Sequence, residues 1–311
     1  MSERVVIALG GNAILRPHQE ATYENQLENV RKSSEIIADI VQKGYEVIVT
    51  HGNGPQVGLI LRQNEEAKDV VSPFPLDVCN AKSQGMIGYM LDQCLKNELT
   101  KRGLTQQVVS LLTQTQVLSD DEAFQHPTKP IGTFYTEEEA KVMMQEKGWE
   151  MQEDAGRGWR RVVPSPQPQS IMEAETIMSL VASGVIVIAS GGGGIPVVQA
   201  QDGTIAGVEA VVDKDRSGLK LAQEADADIF MMVTDVNHVF VHYGTPEQQA
   251  LEHISVKEAE QYMGEGQFSS GSMGPKMEAA IHFAELGKHA IICSLDEAAA
   301  AIQGTTGTHI S

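Results

Sequence analysis

Basic residues are scarce in this chain: Lys and Arg total 23 against 42 Asp and Glu, a formal net charge of −19. So acidic a surface excludes wholesale binding to nucleic acid or to an anionic membrane, both of which would repel it. Any polyanionic ligand must instead meet a local cluster of positive charge. Cysteine is scarce too. Cys79, Cys94 and Cys293 are odd in number, lie in apolar segments and fit neither zinc-site nor redox-pair spacing, so they are expected to be buried reduced thiols. Long hydrophobic runs are missing. The opening MSERVVIALGGN breaks off in glycines, and no stretch approaches the ~20 apolar residues of a membrane span. Together these absences predict a reducing, cytoplasmic setting, with neither nucleic acid nor membrane as partner. Two nucleotide motifs are also absent. There is no GxxxxGK followed by Ser or Thr, and GGNAIL lacks the GxGxxG spacing of a dinucleotide turn, which disfavours a P-loop ATPase and an NAD enzyme.

What is present is enough apolar material, 41% of 311 residues, for one large core or two sharing a cleft. Short β-branched runs alternate with longer amphipathic stretches, the pattern of a parallel α/β sheet whose strands cross over through helices. Strands are predicted at Val5 to Leu9, Glu46 to Thr50, Val108 to Leu112, Val185 to Ala189, near Val211, at Ile229 to Val233 and at Ala290 to Ser294. Leu27, Val30, Ile37, Ile40 and Val41 follow helical spacing, with Gly44 placed to stop that helix. A long helical region is predicted over Asp77 to Arg102, and a hairpin turning at QDG. From about Ser119 to Gln169 the texture changes: HPTKPIG, a short helix capped by Thr136 and Glu139, and aromatic runs separated by AGRG. This reads as a small subdomain (119–169) inserted in one α/β domain spanning 1–311, its prolines letting it project and return.

Three glycine-rich turns each follow a predicted strand: GGN at Gly10 to Asn12, HGNG at His51 to Gly54, and SGGGG at Ser190 to Gly194. In an open parallel sheet, ligands collect beyond the carboxyl ends of the strands, and glycine lets backbone amides approach phosphate there. Phosphoryl transfer depends mainly on positioning and on neutralising the transferring oxygens, so lysines in such loops are the side chains to weigh. Lys214 in VVDKDRSG, between Asp213 and Asp215, Lys276 in GSMGPK and Lys129 in HPTKPIG are the candidates; taken singly, each also reads as a solvated surface lysine.

ALGGNAI, VTHGNGPQVG, HPTKPIG, EDAGRGWRRVVPSP, SGGGGIPV, AVVDKDRSGLKLA and GSMGPKMEAAIHF, in this order and over essentially the whole chain, resemble the signatures of carbamate kinases within the amino acid kinase family. The resemblance implies an open, mostly parallel eight-stranded sheet with helices on both faces, a homodimer, and a protruding subdomain over the substrate. It implies reversible phosphoryl transfer between carbamoyl phosphate with ADP and carbamate with ATP, with Mg²⁺ on the nucleotide and no covalent intermediate. By position, Gly10, Gly11, Asn12, Gly52, Asn53, Gly192 and Gly193 match the phosphate- and substrate-binding turns. Lys214 and Lys276 match the lysines that hold the transferring group, Asp215 the carboxylate that orients them, and Lys129 the lysine reaching in from the subdomain. His51 reads as a turn-stabilising histidine, since carbamate is already an anionic nucleophile. Arg160 and Arg161 read as outward-facing partners of the acidic helix Glu137 to Glu139. Gly274 and Asn237 depart from the usual pattern: the first is expected to loosen the loop before Lys276, the second to bear on nucleotide affinity. A kinase of another small carboxylate and a non-catalytic nucleotide sensor stay open as alternatives.

Overall fold

Residues 2–154, 156–269 and 273–311 are described by the computed structural model. Eight strands form the central sheet, in the order His253–Ile254, Thr308–Ile310, His289–Ser294, Ile229–Thr234, Arg4–Leu9, Glu46–His51, Ile186–Ile188 and Val108–Ser110. Every adjacent pairing is parallel except that of His289–Ser294 with Thr308–Ile310. Because side chains alternate across a strand, the first strand feeds two cores. Val5, Ile7 and Leu9 pack with helices Tyr23–Gln42 and Leu76–Lys101 on one face. Val6 and Ala8 pack with helices Ala174–Ala182, Lys214–Glu224 and Met273–Ala284 on the other. A sheet covered on both faces is why these strands read as continuous apolar runs. The three cysteines are buried and unpaired, as expected, and burial pushes the Cys293 thiol up to about 12.

Local chemistry sets the helix ends. Thr22 caps Tyr23–Gln42 by accepting from the Asn25 amide, and Gly44 leaves that helix at a φ of 96°. The QDG turn joins an antiparallel pair, Ile195–Gln199 with Ile205–Gly207. Two expectations need correction. A helix absent from the sequence reading, Gly54–Ala67, follows the HGNG turn. It buries only a narrow stripe, Gln56, Val57, Gly58 and Ile60, and ends in a polar run, so its periodicity is faint. Conversely, the β-branched residues near Val211 form no strand. Val211 is buried, but its amide donates to the Pro164 carbonyl without a ladder beside it.

Within 119–169, a separate three-stranded sheet forms in the order Lys129–Tyr135, Trp159–Val163, Met151–Glu153. Helix Glu137–Lys147 joins it through the Thr136/Glu139 capping box. Ala140, Met151 and Val162 are buried inside this unit, while Ile131 and Val163 root it in a third small core with Val57, Ile60, Leu76, Cys79 and Val211. No helix among the described residues is long and apolar enough to cross a membrane.

Candidate active site

Since the strands Ile229–Thr234, Arg4–Leu9, Glu46–His51 and Ile186–Ile188 run parallel, their carboxyl ends share one edge of the sheet, and all three glycine turns leave from it. Two cavities open there. One, of about 330 Å³, is walled by Gly11, Gly52, Asn53, Gly192, Lys129, Arg160, Asp213, Lys214, Asp215 and Lys276. The other, of about 380 Å³, is walled by Gly10, Gly11, Asn12, Arg16, Lys214, Asp235, Lys276 and Asp296. Gly11, Lys214 and Lys276 belong to both walls, so they stand where the cavities meet. A larger cavity of about 520 Å³ lies between the small sheet and helix Gly54–Ala67, lined in part by Phe74, Trp149 and Glu209. It touches none of the proposed site residues, so volume does not locate the chemistry.

The backbone of these turns requires glycine at definite places. A Cβ on Gly192, where φ is 65°, would come 2.1 Å from Asn53 Nδ2, and one on Gly10 would come 2.8 Å from the Val233 carbonyl oxygen. Gly193 is packed behind the wall, against the Val212 carbonyl, and lines neither cavity. Asn53 is buried and donates through Nδ2 to Ser83 Oγ at 2.7 Å and to Asn80, so its side chain braces the turn. His51 is also buried, and its Nδ1 donates to the Gly52 carbonyl at 2.9 Å. Burial lowers this imidazole to about 4, against the opposing effect of that hydrogen bond, so it is neutral near pH 7. A histidine that stabilises the turn is what the sequence led one to expect, and the structure places the ring there.

Charge converges at the start of helix Lys214–Glu224. Asp215 Oδ1 accepts from Lys214 Nζ at 2.9 Å and its Oδ2 from Lys276 Nζ at 3.2 Å. Lys276 comes from helix Met273–Ala284; Gly271 and Ser272, which begin the expected glycine-rich loop, lie outside the described residues. Burial first, then the neighbouring Lys214 ammonium, lower the Lys276 amine below the usual lysine range. Asp213 caps the same helix, its Oδ1 accepting from the amides of Asp215 and Arg216, while its Oδ2 accepts from Lys129 Nζ at 2.6 Å. Burial alone would raise the Asp213 carboxyl, but the Lys129 ammonium, the Asp215 amide and the Lys214 charge bring it down to about 2. Three ammonium groups against two carboxylates leave one net positive charge, at a place where three helices present their first turns: the arrangement that holds a phosphate.

The four residues singled out in the sequence, Lys129, Lys214, Asp215 and Lys276, thus meet in one place. Asp213 was missed as a partner, although its position before a helical run is a cap signal. The reading of Arg160 and Arg161 is corrected: Arg160 pairs with Asp154 at 3.0 Å and lines the first cavity, and Arg161 reaches Glu209 at 3.4 Å. Neither pairs with Glu137 to Glu139, because Arg160 is engaged by Asp154 and Arg161 by Glu209, while Glu137 pairs with Lys141 and Glu139 closes the capping box. Gly274 donates its amide to the Ser269 carbonyl at 2.8 Å, and a Cβ there would come 3.0 Å from that oxygen, so glycine permits a close approach. Asn237 lies off the cavity wall and donates to Glu297 at 2.9 Å.

Lysines gathered at glycine turns beyond the strands of a doubly covered, mostly parallel sheet suit a phosphotransferase, and comparison with known proteins shows that class. The family model for the amino acid kinase family matches residues 3–294. The chain belongs to that family. It is 55% identical to a carbamate kinase of Pyrococcus horikoshii over 100% of both chains, and 48% identical to one of Clostridium perfringens over 99% of each. Among solved structures it superposes on the carbamate kinase of Giardia lamblia bound to AMP-PNP with a TM-score of 0.93, at 45% identity over 99% of this chain and 98% of that one. A UMP kinase of Bacillus anthracis, 16% identical with a TM-score of 0.56, shares the fold alone. Within the family, the chain falls among the carbamate kinases.

Proposed function

We propose that the chain transfers a phosphoryl group reversibly between carbamoyl phosphate with ADP and carbamate with ATP. The observation that carries this reading is Asp215 held between Lys214 and Lys276 where the two cavities join. The 330 Å³ cavity walled by Lys129 and Arg160 takes carbamate and the 380 Å³ cavity takes the nucleotide, so the moving phosphoryl group sits at the shared wall. In the direction of carbamoyl phosphate, a carbamate oxygen attacks the γ-phosphorus as the bond to the ADP oxygen breaks. The nucleophile is already an anion, so no base is required and His51 has no part in the step. Lys214 and Lys276 neutralise the equatorial oxygens, Asp215 fixes both ammonium groups, and Lys129 approaches from the small sheet, which excludes water as a lid.

Mg²⁺ is proposed to arrive with the nucleotide, lowering the charge of its phosphates. The donors fit that mode: both oxygens of Asp213 and of Asp215 are engaged, which leaves Asp235 and Asp296, on the wall of the second cavity, as the carboxylates to face the ion. A cytoplasmic homodimer is proposed on the strength of the family resemblance. Purified protein with Mg²⁺, ADP and synthetic carbamoyl phosphate should form ATP, and chelation should stop it. ATP at the chemical background from folded protein, or turnover only with another acyl phosphate, would overturn the assignment.

A further inference from the structure

We propose that Asp213 is a positioning residue for this reaction, holding the Lys129 ammonium over the cleft with one carboxylate oxygen while the other caps the helix bearing Lys214 and Asp215. The inference rests on the carbamate kinase reading of the cleft. Lys129 opens the first strand of the small sheet, 84 residues before Asp213 in sequence, so their 2.6 Å ion pair is a tie between that sheet and the body. The Asp213 side chain is 14% exposed and Lys129 35% exposed, which places the pair at the mouth of the cavity rather than on the outer surface.

The two oxygens of Asp213 have separable duties. Capping needs only an acceptor, and the oxygen aimed at the Asp215 and Arg216 amides supplies it. The other oxygen fixes a lysine whose free side chain has several rotatable bonds and about 2 kcal/mol of rotamer entropy to lose. An ammonium placed in advance serves the transition state without that cost, which is what preorganised electrostatic catalysis requires. Removing the negative charge also raises the net positive charge of the cleft, so binding of an anionic ground state is kept or strengthened while the placement is lost.

Asp213→Asn separates the duties, because asparagine caps a helix about as well as aspartate but presents no second anionic oxygen. The expected result is a kcat about tenfold below the parent, a KM for carbamoyl phosphate equal or lower, and a melting temperature only modestly lowered, since the cap is kept and the ion pair lost is partly exposed. In a Lys129→Ala background the same substitution should change kcat less than about twofold, since the partner it positions is gone. A kcat within twofold of the parent, a raised KM with unchanged kcat, or a loss that multiplies with that of Lys129→Ala would overturn the proposal. So would strongly lowered melting temperatures in both Asp213→Asn and Asp213→Ser, which would mark a role confined to the fold. If the parent itself forms no ATP, the activity reading fails alone, and the pair is read from acetylation of Lys129 followed by mass spectrometry. That rate should rise severalfold in Asp213→Asn, and a rate equal to the parent's would overturn the tie.

Discussion

The Lys276 ammonium donates to Asp215 Oδ2 at 3.2 Å, with both side chains under a tenth exposed, and Lys214 occupies the other oxygen of the same carboxylate. A buried carboxylate shared in this way holds two mutually repelling ammonium groups within reach of one phosphoryl group. Loss of one preorganised donor typically costs ~3 to 4 kcal/mol, or about 10²- to 10³-fold in rate. Lys214→Ala and Lys276→Ala should therefore each lower kcat by about that factor, with a smaller change in the KM for ADP. Asp215→Asn should also be slow, and combining it with Lys214→Ala should cost less than the product of the two. Steady-state kinetics on the singles and the double decide this: near-parent rates, or penalties that multiply, would mean that the three do not act together.

Alkaline pH tests the same pair differently. Burial and then Lys214 lower the Lys276 pKa, so its charge is lost at a pH below the 10.5 of a free lysine. Rate should fall as pH rises through that lowered value. Stability moves the other way: between the lowered value and 10.5 the folded chain binds fewer protons at this site than the unfolded chain, so this group's contribution to stability grows with pH. Lys276→Arg, whose guanidinium stays charged, should lose the alkaline limb of the kcat profile whatever its absolute rate. A parent limb at or above 10.5, or one unmoved by the substitution, would assign the titration to another group.

Much of this was legible in the sequence because two periodicities alternate along it. Val5 to Leu9 and Ile229 to Val233 are apolar on both faces, and Gly10 or Gly44 stands where the period changes, so strand, turn and helix separate cleanly. For the same reason, the turns at Gly10 and Gly52 marked the end of the sheet where the two cavities open. Lys214 and Lys276 stood out by their loops, but that they share Asp215 was recoverable only through resemblance, since 61 residues separate Asp215 from Lys276 and no local pattern links them. Helix Gly54–Ala67 escaped because its buried stripe is narrow, and Val211 misled because a β-branched run says nothing about whether a strand lies beside it. Arg160 was misplaced because charge patterning sees the acidic run at Glu137 but not the Asp154 turn that folds onto it. Gly193 was assigned to the site with its neighbours because sequence cannot tell a glycine facing a ligand from one facing the Val212 carbonyl.

Two glycines of the cleft should separate ligand approach from backbone demand. A Cβ on Gly11 meets nothing within 4 Å, yet Gly11 lines both cavities. Gly11→Ala should melt within about 2 °C of the parent, as harmless surface changes do, while kcat/KM falls at least tenfold because the methyl occupies the space of a phosphate oxygen. Gly192→Ala should instead melt lower by about 5 °C or more, from its left-handed backbone and the collision with Asn53. Thermal denaturation beside kinetics reads both, and an active Gly11→Ala would mean that its turn does not approach the phosphate.

The small sheet can be tested as a lid once its roots are respected. Ile131 and Val163 are packed with Val57, Leu76 and Val211 in the body, so a deletion that included them would open a core and unfold the chain for reasons unrelated to catalysis. Replacing residues 133–161 with a short Gly/Ser linker keeps both roots, and the ends are close because Ile131 faces Arg161 across the ladder. The truncated chain keeps Lys129 and its partner Asp213, and with them the nucleotide-side cavity, none of whose walls come from the replaced segment. It should fold and bind ADP with an affinity near the parent's. Turnover should fall at least about tenfold, because Arg160 leaves the cavity wall and water reaches the phosphoryl group. Calorimetric titration with ADP and ATP formation from carbamoyl phosphate are the paired measurements. Bulk water would also compete with ADP as acceptor, so the truncated chain should release inorganic phosphate faster relative to ATP than the parent does. Parent-like turnover with an unchanged phosphate-to-ATP ratio would show that the small sheet covers nothing the reaction needs covered.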